Sequence, residues 1–81
     1  MEELSEIDMQ IYKYLKAWRN DKATQMNIPA FMICHNSELL SIAKARPKSE
    51  EDLIKIKGFG PYKTNKYGED IISILLDKKF E

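Results

Sequence analysis

The chain has 81 residues and no net charge, with 13 Lys plus Arg balancing 13 Asp plus Glu; at 43% hydrophobic and 32% charged it is a folded composition, too short for two cores. The apolar run Pro29 to Ile33, extended by Cys34, falls far short of the ~20 residues a membrane helix needs, and the acidic start Met1-Glu2-Glu3-Leu4 lacks a secretory core. One cysteine and one histidine exclude an internal disulfide and a Cys/His zinc site and point to a reducing compartment, and a core that absorbs nearly every apolar side chain favours a binding module over an enzyme.

Leu4, Ile7, Ile11, Tyr14, Leu15 and Trp18 recur every three or four residues, the apolar stripe of a helix from about Ser5 to Met26. Ser5 and Asp8 are spaced as a capping pair at its start, and Lys13, Lys16, Arg19 and Lys22 fall on faces expected to be solvated. Trp18, on the stripe, reads as core. Asn27-Ile28-Pro29 ends the helix, because the residue before proline avoids the helical region. Pro29 to Cys34 is apolar throughout; with no second strand candidate to pair with, it reads as a short helix. Asn36 is the expected cap of the next helix, with Leu39, Leu40, Ile42 and Ala43 as its buried face and Arg46-Pro47 as its stop. Ser49 and Asp52 open a fourth helix carrying Leu53, Ile54 and Ile56, which Gly58-Phe59-Gly60 breaks. Pro61 suits the first turn of a fifth helix, whose stripe is Tyr67, Ile71, Ile74 and Leu75, with Lys78 and Lys79 favourable at its end. The expected fold class is all-α: a compact single-domain bundle of about five helices, two of them short. A flexible N-terminus is expected over 1–4, the helical domain over 5–79 and a tail over 80–81.

Charge is distributed unevenly within this neutral chain. Residues 53–66 hold Lys55, Lys57, Lys63 and Lys66 and no acid. The same window holds the double glycine. Two glycines one residue apart permit a tight turn with positive φ, and the apolar residue between them, Phe59, can plug into the core. The helix that follows begins with unpaired N–H groups, which together with the helix dipole favour an anion. Pro61 has no N–H, leaving the amides of Gly60, Tyr62 and Lys63. This is the arrangement of a helix-hairpin-helix site for a nucleic-acid backbone; the plainer alternative is a connecting turn beside solvated lysines.

Other residues offer less chemistry. His35 has no nucleophile at a readable spacing and reads as a loop or capping residue. Cys34 reads as a small buried hydrophobe. Glu50-Glu51-Asp52 at a helix start is explained by the dipole, whereas two-metal chemistry needs carboxylates converging from separate elements. No Walker-type phosphate loop is present.

The ordered set Ile28-Pro29-Ala30-Phe31-Met32-Ile33, Ser37-Glu38-Leu39-Leu40-Ser41-Ile42-Ala43, Pro47, Leu53, Ile56-Lys57-Gly58-Phe59-Gly60, Lys63 and Tyr67-Gly68 resembles an HRDC domain, the helicase-and-RNase-D C-terminal module, most of all that of RecQ-type helicases. The resemblance covers about residues 5–79. It implies an auxiliary nucleic-acid-binding domain of an ATP-dependent DNA helicase, less so of an RNase D-type exonuclease, with no catalytic residue, no metal and no cofactor in the domain itself. The implied partners are single-stranded or branched DNA and the parent helicase core, with the domain monomeric and off the membrane, in the cytoplasm or, in a eukaryote, the nucleus. The alternative it leaves open is a regulatory domain that docks on the helicase core or a partner. Binding would fall to Gly58, Gly60, Tyr62 and Lys63 as the amide site and to Lys55, Lys57 and Lys66 as surrounding charge. Phe31 stands where RecQ-type domains often carry a stacking aromatic; its apolar neighbours argue instead that it is core. About four phosphate contacts give a log–log salt slope near −3 on single strands, and an affinity on the order of 10⁻⁴ to 10⁻⁶ M.

Overall fold

A computed structural model describes residues 4–77. The expected termini, including the tail at 80–81 and the cations Lys78 and Lys79, lie at or beyond those limits, with 1–3 and 78–81 outside the described residues. Four α-helices and one 3₁₀ turn follow in order: α1 (Glu6–Met26), the 3₁₀ turn (Ala30–Met32), α2 (Asn36–Ala45), α3 (Glu50–Leu53) and α4 (Gly60–Asp77). Among the described residues there is no strand, so the chain is all-α, as its periodicities predict. None of these helices is long and apolar enough to cross a membrane.

The Ser5 side chain caps α1 by accepting from the Asp8 N–H at 3.0 Å. The helix ends at Asn27, in the left-handed conformation (φ 58°), and the Ile28 N–H reaches back to the Ala23 carbonyl at 3.0 Å. Its buried line is Ile11, Leu15, Arg19 and Ala23, in steps of four. Two expectations are corrected here. Tyr14 is exposed rather than on the stripe, and Arg19 is only 6% exposed. Arg19 lies four residues past Leu15 and four before Ala23, so helical geometry puts it on the centre line whatever its charge. Its guanidinium donates to the Cys34 carbonyl at 3.1 Å and to Asn36 Oδ1 at 2.7 Å. Trp18 is half-buried at the core's margin, edge-on to Tyr67 with ring centres 6.0 Å apart.

The 3₁₀ turn is closed by Met32 N–H to Pro29 O and Ile33 N–H to Ala30 O, both at 3.0 Å. At three residues per turn, Ile33 returns to the side of Ala30 while Phe31 and Met32 face away. Ile33 and Cys34 are fully buried. The N-cap of α2 is His35 rather than the expected Asn36, whose side chain is taken by Arg19. Leu39, Ile42 and Ala43 face inward as read, but Leu40 is half-buried and Glu38 takes a buried place beside Leu39. Arg46, at φ 49°, and buried Pro47 end the helix.

Ser49 caps α3 by accepting from the Asp52 N–H at 3.3 Å. This helix is shorter than its apolar residues suggest. After Leu53 the chain tightens into i→i−3 bonds, Lys55 N–H to Asp52 O and Ile56 N–H to Leu53 O, and Ile54 is exposed. In α4, Thr64, Tyr67, Gly68 and Ile71 face the interior, with Ile74 and Leu75 half-buried. A Cβ on Gly68 would meet Glu50 Cγ at 3.2 Å, so the glycine lets α3 lie close against α4. The core gathers Ile11, Leu15, Ile33, Leu39, Ile42, Leu53, Phe59 and Ile71 from all four α-helices and the segments between them.

Candidate nucleic-acid interface

The double-glycine elbow joins α3 to α4. Gly58 and Gly60 have φ of +88° and +57°. The Phe59 ring between them is 2% exposed, and its N–H donates to the Ile56 carbonyl at 3.0 Å. The plug is therefore present. Beyond it, α4 begins with amides that lack intrahelical partners by position. Its first turn carries no acid, whereas α1, α2 and α3 each place one or more there.

The four lysines of the window differ in their surroundings. Lys55 and Lys57 are exposed on the turn that leads into the elbow and form no ion pair among the described residues. Lys66 is exposed one turn into α4. Its ammonium lies 3.5 Å from the Tyr62 hydroxyl, 5.7 Å over the Tyr62 ring and 5.6 Å over the Tyr67 ring. The hydrogen bond to Tyr62 is the main reason its pKa is raised. Tyr62 itself is 73% exposed. Lys63 stands apart: its ammonium is 2.9 Å from Glu38 Oε1.

Glu38 is the residue the sequence reading missed. It is 8% exposed, and Oε1 also accepts from the His35 N–H at 2.9 Å. The carboxylate lies against Gly58, where an added Cβ would stand 3.1 Å from Glu38 Cδ and closer still to Oε2. Gly58 is thus required twice, for its positive φ and for the room it leaves the carboxylate. The available signal was the position of Glu38 three residues after His35, the spacing at which an acid returns to the N-cap amide.

Phe31 is 59% exposed and stacks on the His35 ring, with centres 6.4 Å apart and planes 17° from parallel. The reading of Phe31 as core is therefore corrected; its apolar neighbours turn different ways. Because the His35 N–H is held by Glu38, the Phe31–His35 pair adjoins the elbow. Cys34, fully buried, has its thiol pushed up to about 11, first by burial and then by the Glu38 carboxylate. That suits a packing role, since the thiolate is the reactive form. No group of three or more His, Cys, Asp or Glu converges among the described residues. Glu50, Glu51 and Asp52 fill the first turn of α3.

The HRDC domain family matches residues 8–75. Curated relatives include an ATP-dependent DNA helicase UvrD2 of Mycobacterium tuberculosis, 31% identical over 88% of this chain and 10% of the relative. A ribonuclease D of Sphingobium indicum is 36% identical over 78% of the chain and 16% of its own length. An ATP-dependent DNA helicase RecQ of Haemophilus influenzae is 24% identical over 89% and 12%. No solved structure matches significantly. The chain spans about a tenth to a sixth of the length of these relatives. With a family match over most of its length, the chain belongs to the HRDC domain family.

Proposed function

We propose that this HRDC domain is an accessory nucleic-acid-binding domain of a DNA helicase, holding the sugar–phosphate backbone of single-stranded or branched DNA weakly and without base specificity. The observation that carries the reading is the exposed set Lys55, Lys57, Tyr62 and Lys66 around an acid-free helix start, with the exposed Phe31 ring on the adjoining side. Cations and first-turn amides suit phosphates, and exposed aromatic rings suit unpaired bases. Two of the relatives are named as DNA helicases, which supports that parent over a nuclease; a ribonuclease D is the alternative. The reaction would belong to the parent, and this domain contributes grip.

Lys63 is engaged by Glu38, so three lysines without a carboxylate partner remain. Their salt slope on single strands is about −0.7 × 3, or near −2, and raising salt from ~50 to ~200 mM weakens binding about twentyfold. The test is a titration of labelled oligothymidine with amide chemical-shift mapping. Shifts clustered from Lys55 to Lys66 and at Phe31, with that salt slope, are the expected result. No saturable, salt-sensitive binding at millimolar protein would remove the reading.

A second reading, docking on a helicase core or partner, is favoured by one observation: the chain's zero net charge combined with a carboxylate already at the elbow. Silence with DNA, and shifts on another face when helicase core is added, would establish it.

A further inference from the structure

We infer that Glu38 is the residue that decides which lysines meet a polyanion: its carboxylate takes the ligand's place at the elbow, withdrawing Lys63 and confining binding to the outer rim. The inference rests on the proposed nucleic-acid reading and deepens it.

Three observations converge on this carboxylate. Glu38 Oε1 accepts from the Lys63 ammonium and from the His35 N–H, both at 2.9 Å. Its stem is packed against Gly58, within 3.1 Å of where a side chain there would begin. It is 8% exposed, so solvent screens the pair poorly and the charges cancel locally. A phosphate approaching Gly58 and Lys63 meets an anion already satisfied by the donors it would need. To bind there it must displace a carboxylate whose buried charge would then lack partners, which is strongly unfavourable. Lys55, Lys57 and Lys66 carry no such pairing and remain available.

Glu38→Gln keeps the shape, retains an oxygen for the His35 N–H and removes the charge. It frees Lys63, so the salt slope on labelled oligothymidine steepens from about −2 to about −3, with tighter binding at low salt. The double variant Glu38→Gln/Lys63→Gln returns to the wild-type slope. Circular dichroism checks that each variant is folded. A measurement on the unmodified chain stands beside these, the ¹⁵N resonances of the lysine ammoniums during titration. Lys55, Lys57 and Lys66 move while Lys63 stays. A wild type that binds with Lys63 moving alongside the others, or a folded Glu38→Gln with an unchanged slope, overturns the inference and leaves the nucleic-acid reading standing. Salt-sensitive binding by Glu38→Gln alone supports the inference and removes that reading for the native chain. Absence of binding by both overturns the two together.

Discussion

Arg19 and Lys63 hold the two ends of one segment, Cys34 to Glu38, in opposite ways. Arg19 is 6% exposed and uses neutral acceptors, the Cys34 carbonyl and the side chains of Asn36 and Asn20. Lys63 lies nearer the surface and uses a carboxylate. A guanidinium presents several directional donors, and neutral oxygens placed to receive them satisfy it where no ligand reaches. An ammonium beside a carboxylate is a local charge pair at the edge of the elbow, where a phosphate is chemically equivalent to the acid already present. One cation is fastened into the scaffold; the other is held by an acid that occupies the place a phosphate would take.

The largest effect expected tests whether the elbow belongs to the scaffold at all. Phe59→Ala empties the plug and costs about 4 kcal/mol, a fall in Tm of roughly 20 °C for a domain of this size. Thermal denaturation followed by circular dichroism measures it. A loss below about 1 kcal/mol would make the elbow a mere connector and dissolve the comparison. Arg19→Ala comes next. Losing a buried, charged hydrogen-bond hub costs about 3 kcal/mol. Arg19→Lys should recover less than half of that, because one ammonium does not reproduce the guanidinium's fork. Full recovery by lysine would mean that charge, not geometry, holds this end.

These two residues also show what was legible in the sequence. Phe59 was readable because glycine on both sides leaves it one role. The helices were readable because i, i+3 and i+4 spacing and the caps Ser5 and Ser49 act locally. Arg19 and Glu38 were misread or missed for one reason. Each sits at an inward helical position, and residue type argued against burial while the partner that makes burial tolerable lies far along the chain, at Cys34 and Asn36 for Arg19 and at Lys63 for Glu38. Phe31 failed in the opposite sense, since an apolar run says nothing of which side of a 3₁₀ turn each residue takes. The basic window was visible at the candidate site, but the acid that divides it was not.

Thr64 sharpens the contrast by having neither kind of partner. It lies on α4 one turn past Gly60, buried, with its hydroxyl oxygen unpaired among the described residues. Thr64→Val keeps the shape and removes the unsatisfied group, so stability should rise by about 1 kcal/mol. A loss of that size instead would show that the hydroxyl is paired in solution, making it a third fastening.

The smallest effect concerns an ion pair nearer the surface, Asp8 with the exposed Arg46 at 2.5 Å. It gives the scale against which the Lys63–Glu38 pair is judged. The Arg46 guanidinium, aided by the Ser5 cap, holds the Asp8 carboxyl below its ordinary value of 3.8. A carboxylate depressed in the folded state contributes stability above its unfolded value, and that contribution is lost as pH falls through the folded one. The gap in Tm between wild type and Asp8→Asn should therefore be constant from neutral pH down to about 5 and close below about 4. Added salt should narrow it, because exposed charges are screened. Glu38→Gln, by contrast, should show a stability gap that salt barely changes, since solvent reaches that pair poorly. If salt erased both gaps equally, Lys63 would be as free to leave Glu38 as Arg46 is to leave Asp8, and the elbow would be open to phosphate without any exchange of partners.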